Sequence, residues 1–189
     1  MQLKVTIVLF VFIGLATRVV VGQEQQAEHQ VKIEVPEVAL LGLVAENSTD
    51  VNLQVNVPNE AGEIVNLNAV SSEKIWVNYT SVISKAVPAR KVVAFVEGEL
   101  PDGIRLQVEA SSCKGSGKGR MGTSAGMVTL SNQPTDVIVG IGTCYTGKGA
   151  QNGHFLSYRL EQTDNDKDFA LIEEQNLAVN VVYTLTDYN

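Results

Sequence analysis

Long stretches of this chain alternate apolar and polar residues with a period of two, and that period belongs to β-strands. Val51, Leu53, Val55 and Val57 alternate with Asn52, Gln54 and Asn56. Ile104, Leu106, Val108 and Ala110 alternate with Arg105, Gln107 and Glu109. Leu177, Val179, Val181, Tyr183 and Leu185 share one face of a final strand. Successive strand side chains point to opposite faces, so each run reads as a strand with one face buried. Ile75 to Thr80 is aromatic and β-branched, which suits a pleated surface. Trp76, the only tryptophan, reads as core.

The remaining segments fit the same pattern. Val38 to Val44 is a continuous apolar run interrupted by Gly42, better suited to a buried strand than to a helix. Lys91 to Val96 reads as a strand buried on both faces, and Ile64 to Val70 as a weaker one. Gly126 to Leu130, Asp136 to Gly142 and Phe155 to Glu161 supply three more. Val82 to Ala89 fits either one helical turn or an irregular crossing. Turns fall at ENSTD (46–50), PNEAG (58–62) and Pro101-Asp102-Gly103, and Asn152-Gly153 is a hairpin signal. Roughly ten strands without an amphipathic helix predict an all-β fold, an antiparallel β-sandwich over residues 37–189.

The first residues, MQLKVTIVLFVFIGLATRVVVG, read as a signal peptide covering 1–22. Lys4 supplies the charged start, the apolar core is too short to cross a bilayer easily, and Val20-Val21-Gly22 fits a cleavage site. Arg18, close behind that core, leaves an uncleaved anchor as the other reading. Export is expected to leave the protein secreted, at the outer cell surface or in a periplasm. Removing 1–22 takes away Lys4 and Arg18 and no acid, so the formal charge moves from −7 to −9. A chain this acidic is not expected to bind nucleic acid through a basic surface and is a poor candidate for anionic membranes. Residues 23–30, QEQQAEHQ, have no apolar period and read as a disordered lead-in, with His29 solvated. Val31-Lys32-Ile33-Glu34-Val35 then alternates until Pro36 and reads as an edge strand, free to pair within its own subunit or with another.

The stretch from Cys113 to Cys144 sits at the centre of the chain. These are its only cysteines, and in an exported protein they are expected to form a disulfide. On the chain-entropy argument such a bond contributes about 3–4 kcal/mol. It would also join two Gly-Lys-Gly segments, 117–119 and 147–149. Lys114, Lys118, Arg120, Tyr145, Lys148 and His154 lie in or beside these loops and form a candidate site for an anionic sugar or an acidic neighbouring subunit.

Sharper motifs fail on detail. Gly142 to Gly149 approaches a phosphate-binding loop, but Gly149 stands where Ser or Thr must hold magnesium, and a strand pattern follows instead of a helix. Nucleotide is therefore not an expected partner. Asp164, Asp166 and Asp168 alternate as at the start of a calcium loop, yet Phe169 and Gln175 replace the required glycine and glutamate. Calcium held loosely there is the one ion to consider, and no other cofactor is implied. Asn47-Ser48-Thr49 and Asn78-Tyr79-Thr80 match the glycosylation pattern, which matters only in a eukaryotic secretory pathway. Histidines at 29 and 154 alone make a zinc site implausible, and no nucleophile elbow is present. The chain is not expected to be an enzyme; an unrecognised hydrolase is the third reading behind two binding roles.

These features resemble secreted bacterial fimbrial, pilin-like subunits, which are incomplete or extended β-sandwiches, so the expected sandwich is immunoglobulin-like or pilin-like. The resemblance rests on Val31, Ile33 and Val35 after a lead-in, and on Leu177, Val179, Val181, Tyr183 and Leu185 before the penultimate Tyr188. It implies assembly in which an N-terminal strand of one subunit completes the sheet of the next, and a final strand recognised by a chaperone. The chain departs from that pattern at Glu173 to Asn176, which hold no glycine, and in the mid-chain position of its cysteines. WVNYTS, LPDGIRLQVEA and VVYTLTD are also similar to exported Bacteroidota-type proteins of unknown activity. The resulting expectation is a cell-surface structural or adhesive protein with homo-oligomeric or other surface-subunit partners. The alternative is a small carbohydrate-binding module that takes polysaccharide on the glycine-rich loops.

Overall fold

The computed structural model describes residues 27–56, 58–71, 73–163 and 177–188. The chain divides into two units, residues 1–34 and 35–189. The signal-peptide segment, the start of the lead-in and the acidic run of Asp164, Asp166 and Asp168 lie outside the described residues.

Among the described residues every regular element is a strand. These are β1 (Val38–Ala45), β2 (Ala69–Val70), β3 (Ile75–Val82), β4 (Arg90–Glu97), β5 (Ile104–Ala110), β6 (Lys118–Gly119), β7 (Thr123–Ser124), β8 (Met127–Thr129), β9 (Thr135–Ile141), β10 (Cys144–Tyr145), β11 (His154–Gln162) and β12 (Asn180–Asp187). They form two antiparallel sheets. The 8-stranded sheet runs β6-β10-β3-β11-β5-β8, with β1 on β3 and β2 on β11, and the 4-stranded sheet runs β12-β4-β9-β7. One core joins them: Ile75, Val77, Val108 and Leu156 of the larger sheet pack with Val92, Ala94, Val96, Val137 and Ile138 of the smaller. Burying each of these larger aliphatic side chains contributes about 1.5–3 kcal/mol.

Several expected strands take another form. No strand forms over Val31 to Val35, where all three valine and isoleucine side chains are exposed. Along 51–56 half-buried Val51, Leu53 and Val55 alternate with exposed asparagine and glutamine, yet the segment forms no ladder. Val51 and Leu53 pack on the core as a covering segment, so the period records burial of one face without strand pairing. Of Ile64 to Val70 only β2 is a strand, and 83–89 is an irregular crossing. Trp76 is buried as expected but lies on the outer face of β3, its ring 5.5 Å from that of Phe155. Val181, Tyr183 and Leu185 of β12, and Val179 just before it, pack on the core, whereas Leu177 is exposed.

A charged side chain closes one end of this core. Arg90 shares the inward face of β4 with Val92, Ala94 and Val96 and is only 4% exposed. Its Nε donates to Asp187 Oδ1 at 3.0 Å, from the β12 residue directly opposite. Its Nη1 donates to the Val38 and Val82 carbonyls and to Ser81 Oγ, and its Nη2 to Glu37. One guanidinium thus ties β1 and β3 of one sheet to β4 and β12 of the other, using the planar fork that lysine lacks. A second link is the 2.7 Å hydrogen bond between Tyr158 on β11 and Tyr183 on β12.

Truncating a buried ion-pair partner leaves its acceptors unsatisfied. Arg90→Ala is expected to lower unfolding stability by about 3 kcal/mol, read from urea midpoints. Arg90→Lys keeps the charge without the fork and is expected to fall between the two. An unchanged Ala midpoint would show that the cluster holds nothing together.

Candidate functional site

The glycine-rich loops do come together, although no disulfide joins them. Strands β10 and β11 lie in line along the same edge of β3. Cys144 and Tyr145 pair with Ser81 and Thr80, Thr146 N–H donates to the Tyr79 carbonyl at 3.0 Å, and His154 resumes the ladder opposite Val77. Residues 147–153 are therefore an excursion from one strand, not the hairpin that Asn152-Gly153 suggested. On the far side of that strand the chain from β5 through Lys114 to β6 makes a matching detour. Ser111 and Lys114 bond to Phe155 and Gly153, and Lys118 and Gly119 pair with Tyr145 and Cys144.

Two asparagines hold the detours closed. Asn78 of β3 accepts from Gly149 N–H at 3.0 Å and donates to the Asn152 carbonyl, which pinches the neck of the 147–153 loop. With both ends of its amide engaged, Asn78 is a structural residue. Asn152 Oδ1 accepts from Ser116 N–H at 3.0 Å, and its Nδ2 donates to the Lys148 carbonyl at 3.0 Å, so one side chain bridges the two loops. The glycine requirement is steric here: a Cβ on Gly115 would lie 2.1 Å from Asn152 Oδ1, at a φ of +93°.

The candidate residues separate into two groups. Lys114, Lys118, Arg120 and Lys148 are exposed. Tyr145 is 44% exposed and is the register partner of Lys118. Arg120 reaches back to donate to the Pro88 carbonyl. His154 corrects the expectation of a loop ligand, because it is 0% exposed and lies in phase with Leu156 and Tyr158 on the inner face of β11. Its Nδ1 lies 2.7 Å from the Ser111 carbonyl, so it carries the proton and donates. Its Nε2 is then an acceptor and receives the Tyr79 hydroxyl proton at 2.8 Å, while Tyr79 Oη accepts from Gly122 N–H at 3.1 Å. Burial pushes the His154 pKa below its ordinary value and the Tyr79 phenol above its own. The chain of bonds fixes one neutral tautomer and suits packing, with no general base offered to solvent.

The cysteines require a second correction, since both are free thiols. Cys113 directs Sγ toward Met121 Sδ, 3.1 Å away, while Cys144 is buried in the core beside Ile141 and Tyr79. Closeness in the fold does not give a disulfide unless the Cβ vectors face each other. Burial, then neighbouring Cys113, push the Cys144 thiol up to about 11, and burial raises Cys113. Both therefore stay protonated near neutrality and are poor nucleophiles.

Elsewhere, an open hollow of about 370 Å³ lined by Val96, Leu100, Asp102, Leu130 and Asn132 holds none of the candidate residues. Among the described residues no group of three His, Cys, Asp or Glu side chains gathers to hold a metal ion, and no helix is long and apolar enough to cross a membrane. No protein-family model matches the chain, and neither a curated protein nor a solved structure matches it.

Sequence reasoning missed Arg90, Asn78 and Asn152. Arg90 carried a readable signal, its period-two phase with Val92, Ala94 and Val96.

Two outcomes follow. A histidine whose folded pKa is depressed adds stability above its unfolded value near 6.5 and loses it as pH falls, because the unfolded state then binds more protons. Stability is expected to drop below pH ~6.5 by at most about 1.4 kcal/mol per pH unit from this group. Urea midpoints against pH should show a shallower slope in His154→Gln. In a thiol-titration assay, Cys113 is expected to react in the folded protein and Cys144 only after unfolding, with reductant leaving Tm unchanged.

Proposed function

We propose that this protein is an exported structural subunit that assembles by adding a strand to the open edge of β1. The observation that carries this reading is the character of that edge. Edge strands expose unpaired N–H and C=O groups, and soluble proteins blunt them by shortness, charge or proline. Of the other edge strands, β6, β7 and β8 span only two or three residues, and the eight-residue β12 ends in the charged Asp187 and alternates polar Asn180, Thr184 and Thr186 with its apolar residues. β1 is eight residues long, reads VALLGLVA with no charge and no proline, and pairs with β3 alone among the described strands. Leu40 on it is 64% exposed.

A complementary segment exists in the same chain. Val31, Ile33 and Val35 alternate with Lys32 and Glu34, are exposed and form no strand. Laid against β1 of a second copy, this segment gains a ladder of main-chain bonds and covers apolar surface, the pattern of β-strand addition. The reading is pilin-like in this sense, at the outer surface or in the periplasm, with further copies or other surface subunits as partners. Tyr188, the expected chaperone-facing aromatic, lies beneath Lys91 Nζ at 5.2 Å from its ring centre.

Light scattering on a sizing column is expected to resolve multiples of the protomer mass. Leu40→Lys on the acceptor edge and Ile33→Asp on the donor should each collapse the series to a single monomer peak, with unfolding midpoints unchanged because both positions are exposed. A monomer alone for the unaltered chain overturns the assembly.

A further inference from the structure

Charge is segregated along this chain. Residues 111–160 carry Lys114, Lys118, Arg120, Lys148 and Arg159 against a single acid, Asp136, while the whole chain has a net charge of −7. Asp136 is already paired with Lys91 at 2.8 Å. Among the described residues none of Lys114, Lys118 and Lys148 forms an ion pair.

Three observations place these cations on one built surface. Lys118 and Tyr145 are direct register partners on an exposed face. Lys114 is bridged to Gly153 at the end of the second loop. The Lys148 carbonyl and the Ser116 amide are held by the single Asn152 side chain, which brings the two lysine-bearing loops together. The backbone beneath is confined: a Cβ at Gly117 or Gly119 would lie 2.5 or 2.3 Å from a carbonyl oxygen of the neighbouring strand. The lysines therefore extend from a fixed platform, with Tyr145 as an exposed ring among them. The row continues through Thr80 to Leu40, so this surface is on the same side of the sheet as the open edge of β1, with Tyr145 two strands and Lys118 three strands in from it.

We infer that the face formed by Lys114, Lys118, Tyr145 and Lys148 binds an anionic polysaccharide, with carboxylate or sulfate groups on the lysines and a sugar ring stacked on Tyr145. Unpaired ammonium groups match sparse, flexible anions, and the apolar face of a pyranose matches a half-exposed aromatic. A nucleic acid is the less favoured polyanion, because its dense charge meets repulsion from the acidic remainder of the chain.

Affinity electrophoresis and calorimetry on the full chain test this with polygalacturonate, dextran sulfate, neutral dextran and single-stranded DNA. Polygalacturonate or dextran sulfate is expected to bind, and affinity should fall as salt rises. Lys118→Ala and Lys148→Ala should each weaken binding about fivefold, from roughly 1 kcal/mol per cation near an anionic surface. Tyr145→Ala should weaken it further, and the remote control Lys74→Ala should not. These positions are exposed, and unchanged Tm values would show the fold intact. Equal binding to neutral dextran, tighter binding to DNA, no binding to either acidic glycan, or indifference to a triple lysine substitution overturns the inference.

Discussion

A buried guanidinium holds the two sheets at the end where they would otherwise part. Arg90 occupies a core-facing position of β4, with Asp187 opposite on β12, Ser81 and the Val82 carbonyl on β3, and Glu37 and Val38 at the start of β1. Desolvating such a charge is costly, and the cost is offset only because nearly every donor of the fork finds an acceptor. The hydrophobic core supplies cohesion without direction, and Arg90 fixes which strand ends meet. It also positions β1, whose other edge carries the proposed assembly.

The same rule governs the tyrosines and the histidine inside, while Trp76 Nε1 and Glu73 Oε2 are buried without a partner among the described residues. Tyr158 meets Tyr183 between the sheets, and His154 joins Ser111, Tyr79 and Gly122 in a line of bonds that leaves neither ring nitrogen unpaired. A buried polar group without a partner costs roughly 1–3 kcal/mol, so each of these contacts selects one arrangement over near alternatives. The outward loops are built differently. There, glycines allow close backbone approach, and two asparagine amides replace side-chain packing.

Much of the sheet was legible because alternation and β-branching report directly on burial, as in β3, β5 and β11. The same alternation misled at 51–56, where one face is buried but no neighbouring strand offers bonds; pairing is a property of two segments and cannot be read from one. His154 looked like a surface residue because Asn152-Gly153 precedes it, whereas its phase with Leu156 and Tyr158 placed it inside. Arg90 and Asp187 likewise keep the phase of their apolar neighbours, so the informative reading was parity along the strand and not residue type. The candidate loops were legible as a pair, but the reason for their closeness was not. The cysteines suggested a covalent link, and the actual link is Asn152, whose partners lie at distances in sequence that no local pattern reveals.

The strand that leaves β3 at Thr146 rejoins it at His154 only two residues further along, with Asn78 alone between their partners Tyr79 and Val77. Asn78 shuts the neck, so the sheet is insulated from what happens beyond it. Each doubling of such a loop adds only about 0.6 kcal/mol of closure entropy. This is a place where the chain can lengthen or change composition during evolution without disturbing the barrier between solvent and core.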